Sequence, residues 1–418
     1  MQEKNYRPDV EKKFCRVCGN TDLKTYLDLG LMPLANNLEE TFEQAKNASR
    51  YPLKVNFCSN CGLSQLSHVI DPELLFGYYT YRSSINAGYR DHCRKMAIAL
   101  KKEGKLNGKS FVIDIAGNDG ALLHEFQEEV HCKGLNIDPA KNLCIIAEAM
   151  GVISLPVFWN FESAQYIGKQ FGKADIITAT NVFAHVDDIE SFLKGVKIVL
   201  ANEGSLILEF PYLVDLIERN EFDTVYFEHM SYLGIHPVFY LCKKLGFKIY
   251  GIEKFPIHGG TVRVKVCHIE SSIPVEYSVI EYLNNELNHG YTTQEKYMDW
   301  SNTVKSVIDE FSTELRKLKA AGNKIAGFAA SAKGNTLLNS AGIDESIIDY
   351  IADETPEKIG KFSPGTGIPI VHMDRIREDN PDYIVVLSWN FKQEIIDKLR
   401  NFYDGKFIIP IPHFEIVE

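Results

Sequence analysis

The stretch Val112-Ile113-Asp114-Ile115-Ala116-Gly117-Asn118-Asp119-Gly120 is a short apolar run ending in a glycine turn, and the helix-prone segment Ala121 to Glu128 follows it. That order describes a buried strand, a backbone free to close tightly near a ligand, and a helix start with unpaired amides. The next apolar run, Gly134 to Ile137, ends at Asp138, where a carboxylate can accept hydrogen bonds from ribose hydroxyls. Asp114, Ala116, Gly117, Asn118, Asp119, Gly120 and Asp138 are therefore read as a nucleoside-binding turn. By itself the turn does not say which nucleoside, because dinucleotide enzymes share the layout.

Working outward, further apolar runs at Ser110 to Ala116, Ala174 to Thr180 and Ser205 to Phe210 alternate with amphipathic segments, as in a parallel sheet covered by helices. After a helix expected over Pro237 to Leu245, the runs Phe247 to Phe255 and Thr261 to Ile269 follow too closely for a crossover helix, so they should pair antiparallel. A parallel sheet closed by such a hairpin, with a turn lacking the regular G-x-G-x-x-G spacing, points to a class I S-adenosylmethionine (SAM) methyltransferase. A nicotinamide dinucleotide is the weaker alternative, and an empty fold the weakest. Residues 270 to 321 read as a helical connector with Trp300, Val304, Val307, Ile308 and Phe311 at helical spacing. A second α/β unit follows, with strands at Ile325 to Ala330, Ile347 to Ala352, Tyr383 to Leu387 and Phe407 to Ile411, and a turn at Ser331 to Asn335.

Upstream, Cys15-Arg16-Val17-Cys18 and Cys58-Ser59-Asn60-Cys61 are two thiol pairs separated by about 39 residues, the four soft ligands a structural zinc takes. The prolines around them and the lack of periodicity suggest a loop-rich, metal-stapled lobe. The resulting organisation is a zinc lobe at 1–75, a methyltransferase domain at 76–285 and a C-terminal α/β domain at 286–418. With 418 residues and 45% hydrophobic content, the chain can build several cores. An odd count of nine cysteines and no leader-like start suggest the reducing cytoplasm, and no stretch reaches the roughly 20 apolar residues of a membrane span. A formal charge of -11 argues against a nucleic-acid partner. A monomer is expected.

Candidates for chemistry cluster in Tyr226-Phe227-Glu228-His229, expected at a helix start. His229 has the side chain whose ordinary pKa best suits taking a proton near neutrality. Asn181 and His185 lie in the segment after the run Ala174 to Thr180, where this fold opens its cleft. Gly259 and Gly260 beside His258 form the hairpin turn and permit close approach of a ligand. Tyr79, Tyr81, Arg82 and Ser83 precede the sheet as a possible lid. Ser331, Lys333 and Asn335 suit phosphate oxygens.

Taken together, the four cysteines, Tyr81-Arg82-Ser83-Ser84, Asn118-Asp119-Gly120, Asn181 to His185, Tyr226 to His229, His258-Gly259-Gly260, Lys333-Gly334-Asn335-Thr336 and Ser363-Pro364-Gly365-Thr366 resemble the nucleotide-sugar 3-C-methyltransferases of deoxysugar pathways. The resemblance spans nearly the whole chain. It implies a nucleotide-linked 4-keto-6-deoxy sugar as partner, SAM as methyl donor, Asn181 beside that donor, and His229 as the base that forms an enolate. It further implies Tyr226, Glu228, His185 and Tyr79 or Tyr81 around the sugar, with Arg82, Ser83, His258, Gly259, Gly260, Ser331, Lys333 and Asn335 binding the substrate. The chain departs from the family at Ala116, where glycine is usual. Methylation of another acceptor, such as RNA, and a non-catalytic SAM or sugar-nucleotide sensor are the competing functions.

Overall fold

The computed structural model describes residues 9–76 and 82–418. Its largest sheet has seven strands in the order Phe247–Phe255, Thr261–His268, Leu200–Pro211, Ala174–Thr180, Phe111–Ile115, Lys133–Ile137 and Ser154–Leu155. The last five are mutually parallel, and the first two form the expected antiparallel hairpin at one edge. This is the class I methyltransferase topology.

Both faces of the sheet are covered, which is why its inner strands read as unbroken apolar runs. Successive side chains alternate faces. Val112, Ile176 and Ile207 join Met96, Leu122 and Phe126 in one core, while Ile113, Ile177 and Leu208 join Phe192, Val196 and Leu241 in another.

The cysteine-bearing lobe is more ordered than its composition suggested. Leu23–Pro33, Arg50–Cys58 and Ser64–Leu66 form an antiparallel sheet, and Ser231–Tyr232, far along the chain, adds its fourth strand. The prolines misled the reading because Pro33 and Pro52 both sit within these strands, opposite Arg50 and Leu31.

Two further expectations are corrected. Tyr226 to His229 is not a helix start but an irregular loop between the 3₁₀ turn Phe222–Thr224 and Ser231–Tyr232, because the lobe claims the following backbone as a strand. Lys333, Gly334 and Asn335 do not form a turn; they occupy the first turn of the helix Ala332–Ser340, capped by Ser331, whose hydroxyl accepts from the Gly334 amide.

The C-terminal sheet runs Ile370–His372, Ile351–Asp353, Ile325–Phe328, Tyr383–Val386, Lys406–Ile409 and Glu415–Val417, five parallel strands and one antiparallel edge. The first and last of these were too short to register in the sequence. Helices Tyr277–Asn288 and Gln294–Ala320 make the connector. Trp300, Val304, Val307 and Phe311 are buried on the second of them, and Tyr297 packs its ring on Phe57 and Tyr26 of the lobe at 4.7 and 5.1 Å. Among the described residues, no helix is long and apolar enough to cross a membrane.

Candidate active site

At the end of the central strand the chain turns through Ala116 and Asn118, both in the left-handed region (φ 52° and 56°), before Gly120 starts the helix Ala121–Val130. Gly117 meets a different demand. A Cβ there would lie 2.3 Å from Asn136 Oδ1 and 2.4 Å from Asp114 Oδ2. The glycine thus stands where space is absent, and alanine bears the unusual φ.

Around this turn, two carboxylates and an amide are poised for a ligand. Asp114 accepts from the Thr178 hydroxyl at 2.7 Å while its Oδ2 is buried without a partner, and burial pushes its carboxyl up to about 7. Asp138 accepts the amides of Asn118 and Ala140, each at 2.9 Å, and burial lifts it to about 6. Asn181, also left-handed at φ 56°, has a buried Oδ1 without a partner. Orphaned acceptors beside a backbone too close for any Cβ fit a nucleoside bearing hydroxyls and a cationic amino-acid tail, which SAM is.

Arg82 and Ser83, expected near the substrate, reach the glycine turn. The Ser83 amide donates to Asn118 Oδ1 at 3.0 Å, the Ser84 hydroxyl to Asp119 Oδ2 at 2.6 Å, and Arg82 lies 3.7 Å from Asp119. Tyr79 and Tyr81 lie outside the described residues, as does the side chain of His258.

The second half of the site gathers the loop 221–229, the segment after Ala174–Thr180, and the C-terminal domain. His229 Nδ1 donates to the carbonyl oxygen of Thr224 at 2.7 Å. A carbonyl only accepts, so the proton sits on Nδ1 and Nε2 carries the free lone pair. The ring stacks with His185 (centroids 5.0 Å apart) and contacts Tyr226 (4.1 Å). Burial and the neighbouring His185 hold His229 well below the ordinary histidine range, and burial takes His185 down to about 4. Both imidazoles are therefore neutral near pH 7.

Glu228 has a different partner from its neighbour. It is buried and accepts from Asn36 Nδ2 of the lobe at 2.7 Å; its Oε2 has no partner, and burial raises its pKa. Lys333 approaches Glu221 Oε2 at 3.4 Å and lies over the Trp389 ring, while Trp389 donates to Asp223 at 2.7 Å. Burial pushes Glu221 up to about 7. Lys333 is thus held by a carboxylate from the methyltransferase domain, close enough to His229 for its charge to bear on that ring.

Other expected substrate contacts are engaged within the protein. Asn335 donates to the Ala35 carbonyl at 3.2 Å, tying the C-terminal helix to the lobe. Gly259 and Gly260, at φ 87° and 120°, let the hairpin turn close over Glu221 and Asp215, whose oxygens a Cβ would meet at 2.6 and 2.3 Å. Sequence reasoning missed Asn36, Glu221, Thr224 and Trp389. Glu221 and Thr224 lie just upstream of the highlighted run, whereas Asn36 and Trp389 come from distant segments that carried no signal.

At the lobe, Cys15 and Cys61 sulfurs are 3.5 Å apart, as are those of Cys18 and Cys58, and all four lie within 4.8 Å of one another. A tetrahedron of thiolates at about 2.3 Å from zinc has sulfur edges of about 3.8 Å, so the donor set fits a closed structural zinc. Gly19 and Gly62, both left-handed, donate back to the Cys15 and Cys58 carbonyls at 2.9 Å and form matched knuckles.

The topology, the cofactor turn and the thiol cluster together define a zinc-bearing, SAM-dependent methyltransferase. Family models agree along the chain: a zinc binding domain over residues 15–76, a methyltransferase domain over 87–252 and a C-methyltransferase C-terminal domain over 256–412. The C-methyltransferase NovU of Streptomyces niveus is 32% identical over 406 residues, 96% of each chain. The chain belongs to this C-methyltransferase family. Among solved structures, magnesium protoporphyrin IX methyltransferase (ChlM) from Synechocystis PCC 6803 with bound SAM is 12% identical, with a TM-score of 0.34, over 44% of this chain and 82% of that one. A SAM-dependent methyltransferase from Anabaena variabilis is 16% identical, with a TM-score of 0.34, over 42% and 84%.

Proposed function

We propose that this enzyme methylates carbon 3 of a nucleotide-linked 4-keto-6-deoxy sugar. The observation that carries the reading is His229: its Nδ1 is tied to Thr224 and its Nε2 bears no hydrogen bond among the described residues. A ketone at carbon 4 acidifies the hydrogen on carbon 3, and Nε2 is the atom that removes it. Donors from Tyr226, from Glu228 in its acid form and from the neutral His185 ring would stabilise the oxyanion of the resulting enolate. Bound SAM supplies an electrophilic methyl group. Asp138 would hold its ribose, and Asp114, Gly117 and Asn181 its remaining polar groups.

In this reading 1–75 is the zinc lobe, 76–285 the methyltransferase domain and 286–418 a domain that helps hold the sugar nucleotide, with Lys333 toward its charged linkage. A cytoplasmic monomer without nucleic-acid or membrane partners completes it. The test is mass analysis of TDP-, GDP- and CDP-linked 4-keto-6-deoxy sugars incubated with enzyme and SAM in deuterated water. A product carrying one added methyl, and deuterium uptake at carbon 3 when SAM is withheld, are expected. Methylation on oxygen or nitrogen, or turnover of none of these sugars, would refute the proposal.

A further inference from the structure

The zinc lobe touches the reactive loop from two sides. From the front, Asn36 Nδ2 donates to Glu228 Oε1 across 192 residues of sequence. Asn36 is exposed, and Glu228, which it holds, is buried. From behind, the Leu66 amide donates to the Met230 carbonyl at 3.0 Å, and Ser64–Gln65 pair with Ser231–Tyr232. That strand is continuous with the zinc site: the Gln65 side chain accepts the Arg16 amide at 2.9 Å and donates to the Phe14 carbonyl at 3.1 Å, on either side of Cys15.

Glu228 and His229 are thereby fixed between a strand anchored at the thiol cluster and a single side-chain amide. Building on the proposed role of Glu228 beside the sugar, we infer that Asn36 is a positioning residue: it occupies Oε1 and leaves the orphaned Oε2 as the one oxygen that meets the substrate. An unheld carboxyl could rotate and present either oxygen. With Oε1 engaged by an N–H donor, a proton taken up by the carboxyl sits on Oε2, where it can be donated to a developing oxyanion. The lobe then acts in the chemistry through geometry, without its metal touching substrate.

The experiment is a double-mutant cycle with Asn36→Ala, Glu228→Gln and the pair, reading kcat and KM for the keto-sugar nucleotide separately and checking each fold by thermal melting and SAM binding. Asn36→Ala should lower kcat about 10- to 100-fold with SAM affinity unchanged, and Asn36→Ser, which keeps a donor, should recover part of it. The double variant should be no slower than Glu228→Gln, because Asn36 acts through that carboxyl. Full activity of Asn36→Ala in an active wild-type background, or multiplicative losses in the pair, would overturn the inference alone. No turnover by the wild type would overturn it together with the reading on which it rests.

Discussion

His229 Nδ1 lies 2.7 Å from the Thr224 carbonyl oxygen, and this one hydrogen bond decides which ring nitrogen keeps its lone pair free. Asparagine can reproduce the Nδ1 donor, because its amide nitrogen sits at the same distance from the backbone, but it has nothing at Nε2. His229→Asn should therefore keep the loop in place and SAM bound while kcat falls by about 10²–10⁴, the usual weight of a general base. Retained turnover with SAM affinity intact would show that another group takes the proton.

The two stacked imidazoles have a cost in acid. His185 titrates near 4 in the folded chain against an ordinary 6.5, and His229 is depressed in the same direction. The unfolded chain thus binds protons that the native state refuses. The stability associated with these neutral rings is complete above pH 6.5 and is lost progressively as pH falls toward 4. Asp114 and Asp138, raised to about 7 and 6, oppose this, since their contribution is present in acid and is lost as pH rises through those values. Whole-protein melting mixes the two effects, so the comparison must be with His185→Gln. The advantage of wild type over that variant should shrink between pH 7 and pH 4.5; an advantage independent of pH would show that the ring is not buried neutral.

Much of the site was legible because it is local. The glycine turn, Asp138 and the hairpin follow from residue order within a few positions, and the strands of the central sheet announce themselves as apolar runs. What stayed hidden depends on contacts across the chain. Ser231–Tyr232 carries no strand signal, since two residues are too few for periodicity, and it forms only because the lobe offers an edge at Ser64–Gln65. Asn36 lies in an unremarkable stretch and gains meaning only from Glu228. The contacts of Ser83 with Asn118 and of Arg82 with Asp119 likewise join segments some 35 residues apart and left no trace in either one.

Ala116 and Gly117 separate two reasons for glycine. Ala116 tolerates φ 52° at a cost of about 1–2 kcal/mol relative to an ordinary conformation. Ala116→Gly relieves that strain but loosens the unfolded chain by about 0.5–1 kcal/mol, so stability should change by no more than about 1.5 kcal/mol, with SAM binding kept. Gly117→Ala must push a methyl into Asp114 and Asn136, which overpacking places at about 1–3 kcal/mol. It should also weaken SAM binding at least about tenfold by displacing Asp114. Calorimetry on both variants checks this; a Gly117→Ala protein that binds SAM normally would mean that the turn lies away from the cofactor.

Zinc should hold the lobe without entering the reaction. Four thiolates close the coordination sphere and leave no position for water or substrate. One zinc per chain is expected by elemental analysis, and mercurial titration should release it as four thiols react. Its loss should open the knuckles at Cys15–Cys18 and Cys58–Cys61 and then the strand Ser64–Leu66 that leads from them to Met230. Trp300 reports this directly, because it packs 6.2 Å from Tyr26 in the lobe. Chelation or Cys18→Ser should shift its fluorescence and abolish turnover, while SAM, held by the seven-stranded sheet, still binds. Loss of turnover with Trp300 and the melting profile unchanged would contradict a structural metal and place the zinc in the chemistry itself.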